Sequence, residues 1–268
     1  MGGAAAIGPI LIATDRGIAI LCILLFFGLA ALAARWGATR FAGVATSIVL
    51  AGIVTARIGY VARHATIYAD APWSMLALWQ GGFSPLAGVA GAASMLLIRL
   101  GRGRDALFGL GALAIPTMLW FGVQTILPTA DHGRFPDHVT LADAAGKPMA
   151  LDRFRGRPFV VNLWATWCGP CRRELPMLDA VAGTSDVPII LADQGEAPGT
   201  VAAFLRAEGI APQHVALDID RQLSGAFTVG GYPATIFIAA DGTIVQTRIG
   251  EMSRAALADG IDMARKHR

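Results

Sequence analysis

Two cysteines separated by two residues, Cys168 and Cys171, are the part of the sequence best equipped for chemistry. They sit in Trp164-Ala165-Thr166-Trp167-Cys168-Gly169-Pro170-Cys171, directly after a nearly continuous apolar run of strand length at 158–165. A Cys-x-x-Cys that leaves a buried strand and opens a helix has the context of a redox pair. A sulfur at a helix amino terminus meets unpaired backbone N–H groups and the positive end of the macrodipole, so its thiolate is favoured. Cys168 is therefore expected to be the attacking thiol, with a depressed pKa. Cys171, one helical turn deeper, can reach that sulfur and close an intramolecular disulfide while shielded from outside attack. Pro170 suits a first turn, where its missing N–H would have no partner anyway. A structural zinc site would need two further Cys or His ligands at suitable spacing. Cys22 lies in an apolar stretch, and His132 and His138 have no Cys or paired carboxylate beside them, so neither metal nor cofactor is expected.

Alternating strands and helices must position this pair. Residues 139–143 and 149–154 flank the turn Ala145-Gly146-Lys147-Pro148 as an expected hairpin. A helix is expected over 174–181, a second buried strand over 187–192, a helix over 198–208 and a short helix over 221–227. Segments 234–240 and 243–249, joined by Asp241-Gly242, predict another hairpin before a final helix from Ser253. The implied architecture is a central sheet covered by helices.

The chain has 268 residues, of which 54% are apolar and 15% charged, too greasy for an ordinary soluble protein. Four apolar stretches, 17–34, 41–62, 83–100 and 106–127, approach the roughly 20 residues of a membrane crossing. The opening Met-Gly-Gly-Ala-Ala-Ala lacks the basic segment of a signal peptide, so 17–34 is expected to be a retained helix. Arg35 and Arg40 in one connection, and Arg99, Arg102 and Arg104 in the other, place those two loops in the cytoplasm. With four crossings, everything after Leu127 then faces the outside. The expected organisation is a four-helix, all-α transmembrane domain at 1–127, a Pro-bracketed linker at 128–136 and an α/β domain at 137–268. Arg57, near the outer end of its stretch, is expected to snorkel to the interface rather than face a bundle interior. Small residues and Pro85 in 81–88 permit either close helix packing or a re-entrant bend. The net charge of +3 and the lack of a basic, aromatic-interleaved run give no support to nucleic-acid binding.

The run from Val161 to Pro176, Val-Asn-Leu-Trp-Ala-Thr-Trp-Cys-Gly-Pro-Cys-Arg-Arg-Glu-Leu-Pro, resembles the TlpA-like branch of the thioredoxin superfamily. These are membrane-tethered thiol-disulfide oxidoreductases, and the likeness extends over almost all of 135–267. It implies a thioredoxin fold and places Gly231-Tyr232-Pro233-Ala234-Thr235 at the family's cis-proline loop. Pro233 would then present backbone to a substrate strand rather than serve as a plain turn proline. Trp167, Gly169, Pro170 and Tyr232 would line the same substrate site. Asn162 stands where ordinary thioredoxins carry a buried aspartate, so it cannot be the base. Glu174 resembles the branch's glutamate and would accept the proton of Cys171, its alternative being a surface complement to the helix amino terminus. The likeness also implies protein disulfides as substrates, apocytochrome c or other periplasmic proteins among them, and reduction as the direction. Because Cys22 is unpaired, an external membrane thiol reductant is expected to supply electrons.

Ala56-Arg57-Ile58-Gly59-Tyr60 and Trp79-Gln80-Gly81-Gly82-Phe83-Ser84 resemble two motifs of the prolipoprotein diacylglyceryl transferases, in the same order. That family's His-Gly-Gly falls on Leu86-Ala87-Gly88, so the imidazole is absent, and the later helices are missing. The likeness therefore implies a truncated scaffold that anchors the chain or binds membrane lipid or a membrane partner, with transferase activity the lesser alternative.

Overall fold

The computed structural model describes residues 4–7, 10–126, 133–227 and 229–267. It divides into two compact units, Asp15–Pro128 and Thr129–Arg268, the second taking in Met1–Thr14. The first five residues of the expected linker, with His132, lie outside the described residues. Strands β1 (Ala4–Ile7) and β2 (Ile10–Ala13) pair antiparallel ahead of the first helix.

The apolar unit is helical: α1 (Thr14–Arg35), α2 (Thr39–Arg63), the short α3 (Ala65–Ala69), α4 (Pro85–Leu100) and α5 (Arg104–Ile126). Its core gathers Phe26, Phe41, Ile48 and Leu96. Helices α2 and α4 approach closely because small residues face each other. A Cβ on Gly59 would stand 2.5 Å from that of Ala87, and one on Gly88 3.1 Å from the Gly52 carbonyl. Pro85 opens α4 at its first turn, as a proline should. Among the described residues three helices are long and apolar enough to cross a membrane, Arg16–Arg35, Thr39–Arg63 and Arg104–Val123. The fourth, Pro85–Leu100, has 16 residues and spans about 24 Å at about 1.5 Å per residue, against a hydrocarbon layer of about 30 Å.

Arg57 corrects the expectation of snorkelling. Its side chain is buried, at 7% exposure. Its guanidinium donates to the carbonyls of Ser74, Met75, Gly81 and Gly82 at 2.7–2.9 Å. The planar fork of donors fits several carbonyls at once, so the residue gathers the 3₁₀ turns Pro72–Leu76 and Leu78–Gln80 under α2. Tyr68 and Phe83 lie at cation–π distance, 5.4 and 5.9 Å from the guanidinium carbon.

In the second unit, β3 (Thr140–Asp143), β4 (Pro148–Ala150), β5 (Phe159–Trp164), α6 (Gly169–Ala182), β6 (Ile189–Gln194), α7 (Pro198–Glu208), β7 (Val215–Asp218), α8 (Gln222–Ala226), β8 (Ala234–Ile238), β9 (Ile244–Ile249) and α9 (Arg254–Lys266) follow in order. The sheet runs β4-β3-β7-β6-β5-β8-β9, with β5, β6 and β7 mutually parallel and the flanking pairs antiparallel. Every residue of β5, β6 and β8 is buried, because helices and loops cover both faces. That is why these strands are mostly apolar in sequence. Val160 and Trp164 pack on one face with Leu175, Leu178, Leu257 and Ile261, whereas Phe159, Val161 and Leu163 pack on the other with Phe135, Phe154 and Leu223. Two expectations need correction. Residues 151–154 form a 3₁₀ turn that buries Leu151 and Phe154 together, three apart on one side, rather than continuing a strand. Val215–Asp218 is a strand that was not expected at all.

Candidate active site

Strand β5 ends at Trp164, and the chain turns sharply into α6. The Cys168 N–H donates to the Ala165 carbonyl at 3.2 Å, closing that turn. Cys168 is the N-cap of α6, with extended φ and ψ of −81° and 103°. Its sulfur accepts the Cys171 N–H at 3.2 Å, taking the place an oxygen of Ser or Asp fills in an ordinary cap. The same sulfur is bonded to Cys171 in a disulfide. Cys168 retains slight exposure and Cys171 almost none. Gly169 and Pro170 form the first turn between them.

Two aromatic rings flank the opening. Trp167 is 67% exposed, and its ring centroid lies 6.1 Å from that of Tyr232. The Tyr232–Pro233 peptide is cis. Antiparallel register pairs Leu163 with Ala234, which sets Pro233 beside the end of β5 from which the cysteine turn departs. The Pro233 carbonyl accepts the Gly250 N–H at 2.8 Å. The Tyr232 hydroxyl bonds the Ser224 hydroxyl at 2.8 Å. Ser224 in turn donates to Gln194, and Gln194 to Asp218 at 3.1 Å. Asp218 accepts the first N–H groups of α8, so one polar chain ties the proline loop to the ends of β6 and β7.

Three residues after Cys171 on α6, Glu174 is only 2% exposed and therefore not a surface residue. Its Oε1 accepts the Met252 N–H at 3.2 Å, and its Oε2 has no partner among the described residues. Burial pushes its pKa up to about 8, and the nearby Glu251 carboxylate adds to the rise, while the Met252 N–H and Arg248 oppose it. Arg173 pairs with Glu251 at 2.8 Å next to it. Asn162 donates through Nδ2 to the Thr235 hydroxyl at 2.8 Å. Trp164 is fully buried against Phe204, further from solvent than Trp167.

The structure also brings in acids that sequence reasoning missed. Asp193 is the register partner of Trp164 and is fully buried. Glu196, three residues on, accepts from both the N–H and the hydroxyl of Thr166 at 2.6 Å. The only signal was an Asp-x-x-Glu at the carboxyl end of a central strand, where α/β folds place their sites. Cys22 is remote in sequence and half-buried, its thiol donating to the Pro116 carbonyl at 3.5 Å. His138 pairs with Asp152 at an exposed position. Among the described residues no group of three His, Cys, Asp or Glu is placed to hold a metal ion.

Comparison with known proteins separates the two halves of the chain. Residues 9–123 match the family model described as prolipoprotein diacylglyceryl transferase, and residues 133–247 match that of the AhpC/TSA family. The thiol-disulfide oxidoreductase ResA of Geobacillus kaustophilus (strain HTA426) is 31% identical over 122 residues, 44% of this chain and 69% of that protein. The chain belongs, through its C-terminal half, to the ResA thiol-disulfide oxidoreductases. ResA of Bacillus subtilis (strain 168) is 29% identical over 145 residues, 53% of this chain and 78% of that protein. A thiol:disulfide interchange protein of the thioredoxin family from Chlorobium tepidum TLS is 26% identical, covering 50% of this chain and 99% of its own, with a TM-score of 0.43. A ResA-type oxidoreductase is thus joined, in one chain, to a helical region like a diacylglyceryl transferase, with three helices long and apolar enough to cross a membrane.

Proposed function

We propose that the chain is anchored in a bacterial inner membrane by its first 127 residues, is tethered through 128–136, and reduces protein disulfides in the periplasm with a thioredoxin-like domain at 137–268. The observation that carries this reading is the capping of α6 by Cys168, the less buried of the two cysteines, whose sulfur accepts the Cys171 N–H at a helix amino terminus that favours its thiolate. The Cys168 thiolate attacks one sulfur of a substrate disulfide, and the other leaves as a thiolate that takes up a proton. The ionised fraction of Glu174 then takes the proton of Cys171, which attacks the Cys168 sulfur in the mixed disulfide, and the second substrate sulfur leaves as a thiolate that takes up a proton. The products are a reduced substrate and the Cys168–Cys171 disulfide. An external membrane dithiol must reduce that disulfide again, because Cys22 is the only other cysteine and two electrons need a pair. Trp167, Gly169, Pro170, Tyr232 and Pro233 form the docking rim for a substrate strand, such as a cysteine segment of apocytochrome c.

Outward placement of this domain needs four crossings, with the arginine loops after α1 and α4 inside. Helix α4 is short, but the stretch Gly81–Ser84 ahead of it lengthens the path. The Gly81 and Gly82 carbonyls are held by Arg57, and the Ser84 N–H by the Ala56 carbonyl. Leu86 takes the place of the transferase histidine and is exposed, which favours a scaffold over a lipid-transfer enzyme. Trapping tests the function. Cys171→Ser, expressed in cells, should accumulate substrates linked through Cys168, found by non-reducing electrophoresis and mass spectrometry. No adduct, or adducts on cytosolic proteins alone, would defeat the proposal.

A further inference from the structure

We propose that Glu196, buttressed by Asp193, is a positioning residue that clamps the turn before Cys168 and thereby aims the Cys168 sulfur at the amino terminus of α6. This deepens the function proposed above and rests on Cys168 being the attacking thiol.

The clamp is continuous from the sheet to the sulfur. Asp193 lies near the end of β6, in register with Trp164, the last residue of β5 before the cysteine turn. Its Oδ1 accepts the Glu196 N–H at 3.1 Å, and its Oδ2 is buried with no hydrogen-bond partner among the described residues. The intervening Gly195 has a φ of +83°, and a Cβ there would stand 2.5 Å from the Arg221 side chain, so the turn that presents Glu196 is built around a glycine. Glu196 then spends both oxygens on one residue. Its Oε2 takes the Thr166 N–H and its Oε1 the Thr166 hydroxyl, each at 2.6 Å. Thr166 lies inside the turn that the Cys168 N–H closes onto Ala165. Bonds to an ionised acceptor are roughly twice as strong as neutral ones.

The charge states suit the task. Burial, together with the Glu196 carboxyl, pushes Asp193 up to about 7. For Glu196 burial works upward, but the Thr166 hydroxyl, the Asp193 carboxyl and the Thr166 N–H outweigh it and hold it below the usual carboxylate range. The buried proton of the pair thus stays on Asp193, and the ionised member faces Thr166. The other charged groups at this corner are Arg221, packed over Gly195, and Asp218, reached through Gln194.

Two effects of Glu196 on Cys168 oppose each other. As an anion it disfavours a nearby thiolate, whereas as a clamp it keeps the sulfur on the Cys171 N–H, a direct 3.2 Å contact. Both Thr166 donors already offset the Glu196 charge, so positioning dominates. Removing the clamp must therefore make Cys168 less acidic, the reverse of what removing an anion alone would do.

The test is alkylation of the reduced full-length protein in detergent, from pH 5 to 10, with each cysteine resolved by peptide mass spectrometry and folding checked by near-UV circular dichroism. Glu196→Ala should move the Cys168 titration upward and slow its labelling at pH 7 by about 3- to 10-fold, the equivalent of about half to one pKa unit. Thr166→Val, which loses only the hydroxyl donor, should shift it less in the same direction. Glu196→Gln, which keeps an acceptor oxygen, should fall between Glu196→Ala and the wild type. If Glu196→Ala does not fold, the other two variants decide. Faster labelling in the Glu196 variants, or unmoved titrations in folded ones, would overturn the proposal while leaving the proposed function intact. A wild-type Cys168 that ionises like free cysteine would overturn the function and this proposal with it.

Discussion

Replacing Glu174 with Gln should remove a pH dependence of stability that the wild type carries. The carboxyl is 2% exposed and its proton is held up to about 8. In the unfolded chain the same group ionises near 4.3. Between those values the folded protein keeps a proton that the unfolded chain has released, so stability falls as pH rises. Below the window both states are protonated and the difference vanishes; above it both are ionised and the loss is complete. At about 1.4 kcal/mol per pH unit the accumulated loss is about 3 to 5 kcal/mol, the lower figure allowing for water reaching the ionised group. Gln keeps the shape and the acceptor for the Met252 N–H but does not titrate. The assay is hydrogen exchange by mass spectrometry on the oxidised full-length protein, following amides of β5 and β8 from pH 5 to 9 after correction for intrinsic rates. The wild type should lose protection relative to Glu174→Gln by about two to three orders of magnitude, with most of the change by pH 8. Asp193 titrates in the same window but is common to both proteins, so it cancels in the difference. Equal slopes for wild type and variant would refute the reasoning, because the buried carboxyl would then be no more costly to ionise when folded.

The same substitution should slow resolution of the mixed disulfide by about 10²-fold or more, measured as single-turnover reduction of a protein disulfide at pH 8, without altering the first attack by Cys168. Gly260→Ala should destabilise the C-terminal unit by about 1–3 kcal/mol despite the helix propensity of alanine, because its Cβ would fall 2.3 Å from the buried Phe237 ring. Chemical denaturation followed by protection of β8 amides reads that loss. Arg57→Lys should lower the thermal stability of the detergent-solubilised helical unit, since one ammonium cannot serve four backbone carbonyls, and each orphaned carbonyl costs about 1–3 kcal/mol. Disulfide reductase activity per folded molecule should be unchanged in that variant.

The sheet was legible in the sequence where strands are buried on both faces, because β5, β6 and β8 are then mostly apolar, interrupted only by Asn162, Asp193, Gln194 and Thr235. Helix α7 matched its expected limits, residues 198–208, and the final helix starts at Ser253 as expected, that residue's side chain capping α9. Strand β7 was not legible: Val-Ala-Leu-Asp is too short for a period, and only pairing with β3 and β6 defines it. The error at Leu151 and Phe154 has the opposite cause, since an apolar pair three apart serves a 3₁₀ turn as well as a strand. At the site, the cysteine pair, its helix and the proline loop were visible as local motifs. Asp193 and Glu196 were not, because Glu196 meets Thr166 across 30 residues and Asp193 acts by holding the Glu196 N–H. Arg57 misled for a related reason. A charge in an apolar stretch suggests an escape to solvent, whereas its partners here are backbone carbonyls, which carry no signal in residue type.

The most direct test is a titration of the Cys168 thiol in the reduced wild-type protein by site-resolved alkylation. Because its sulfur caps α6, Cys168 should ionise well below the roughly 8.5 of free cysteine and label ahead of Cys171 at pH 7. Labelling of Cys168 with the profile of an unperturbed thiol, or preferential labelling of Cys171, would contradict the account.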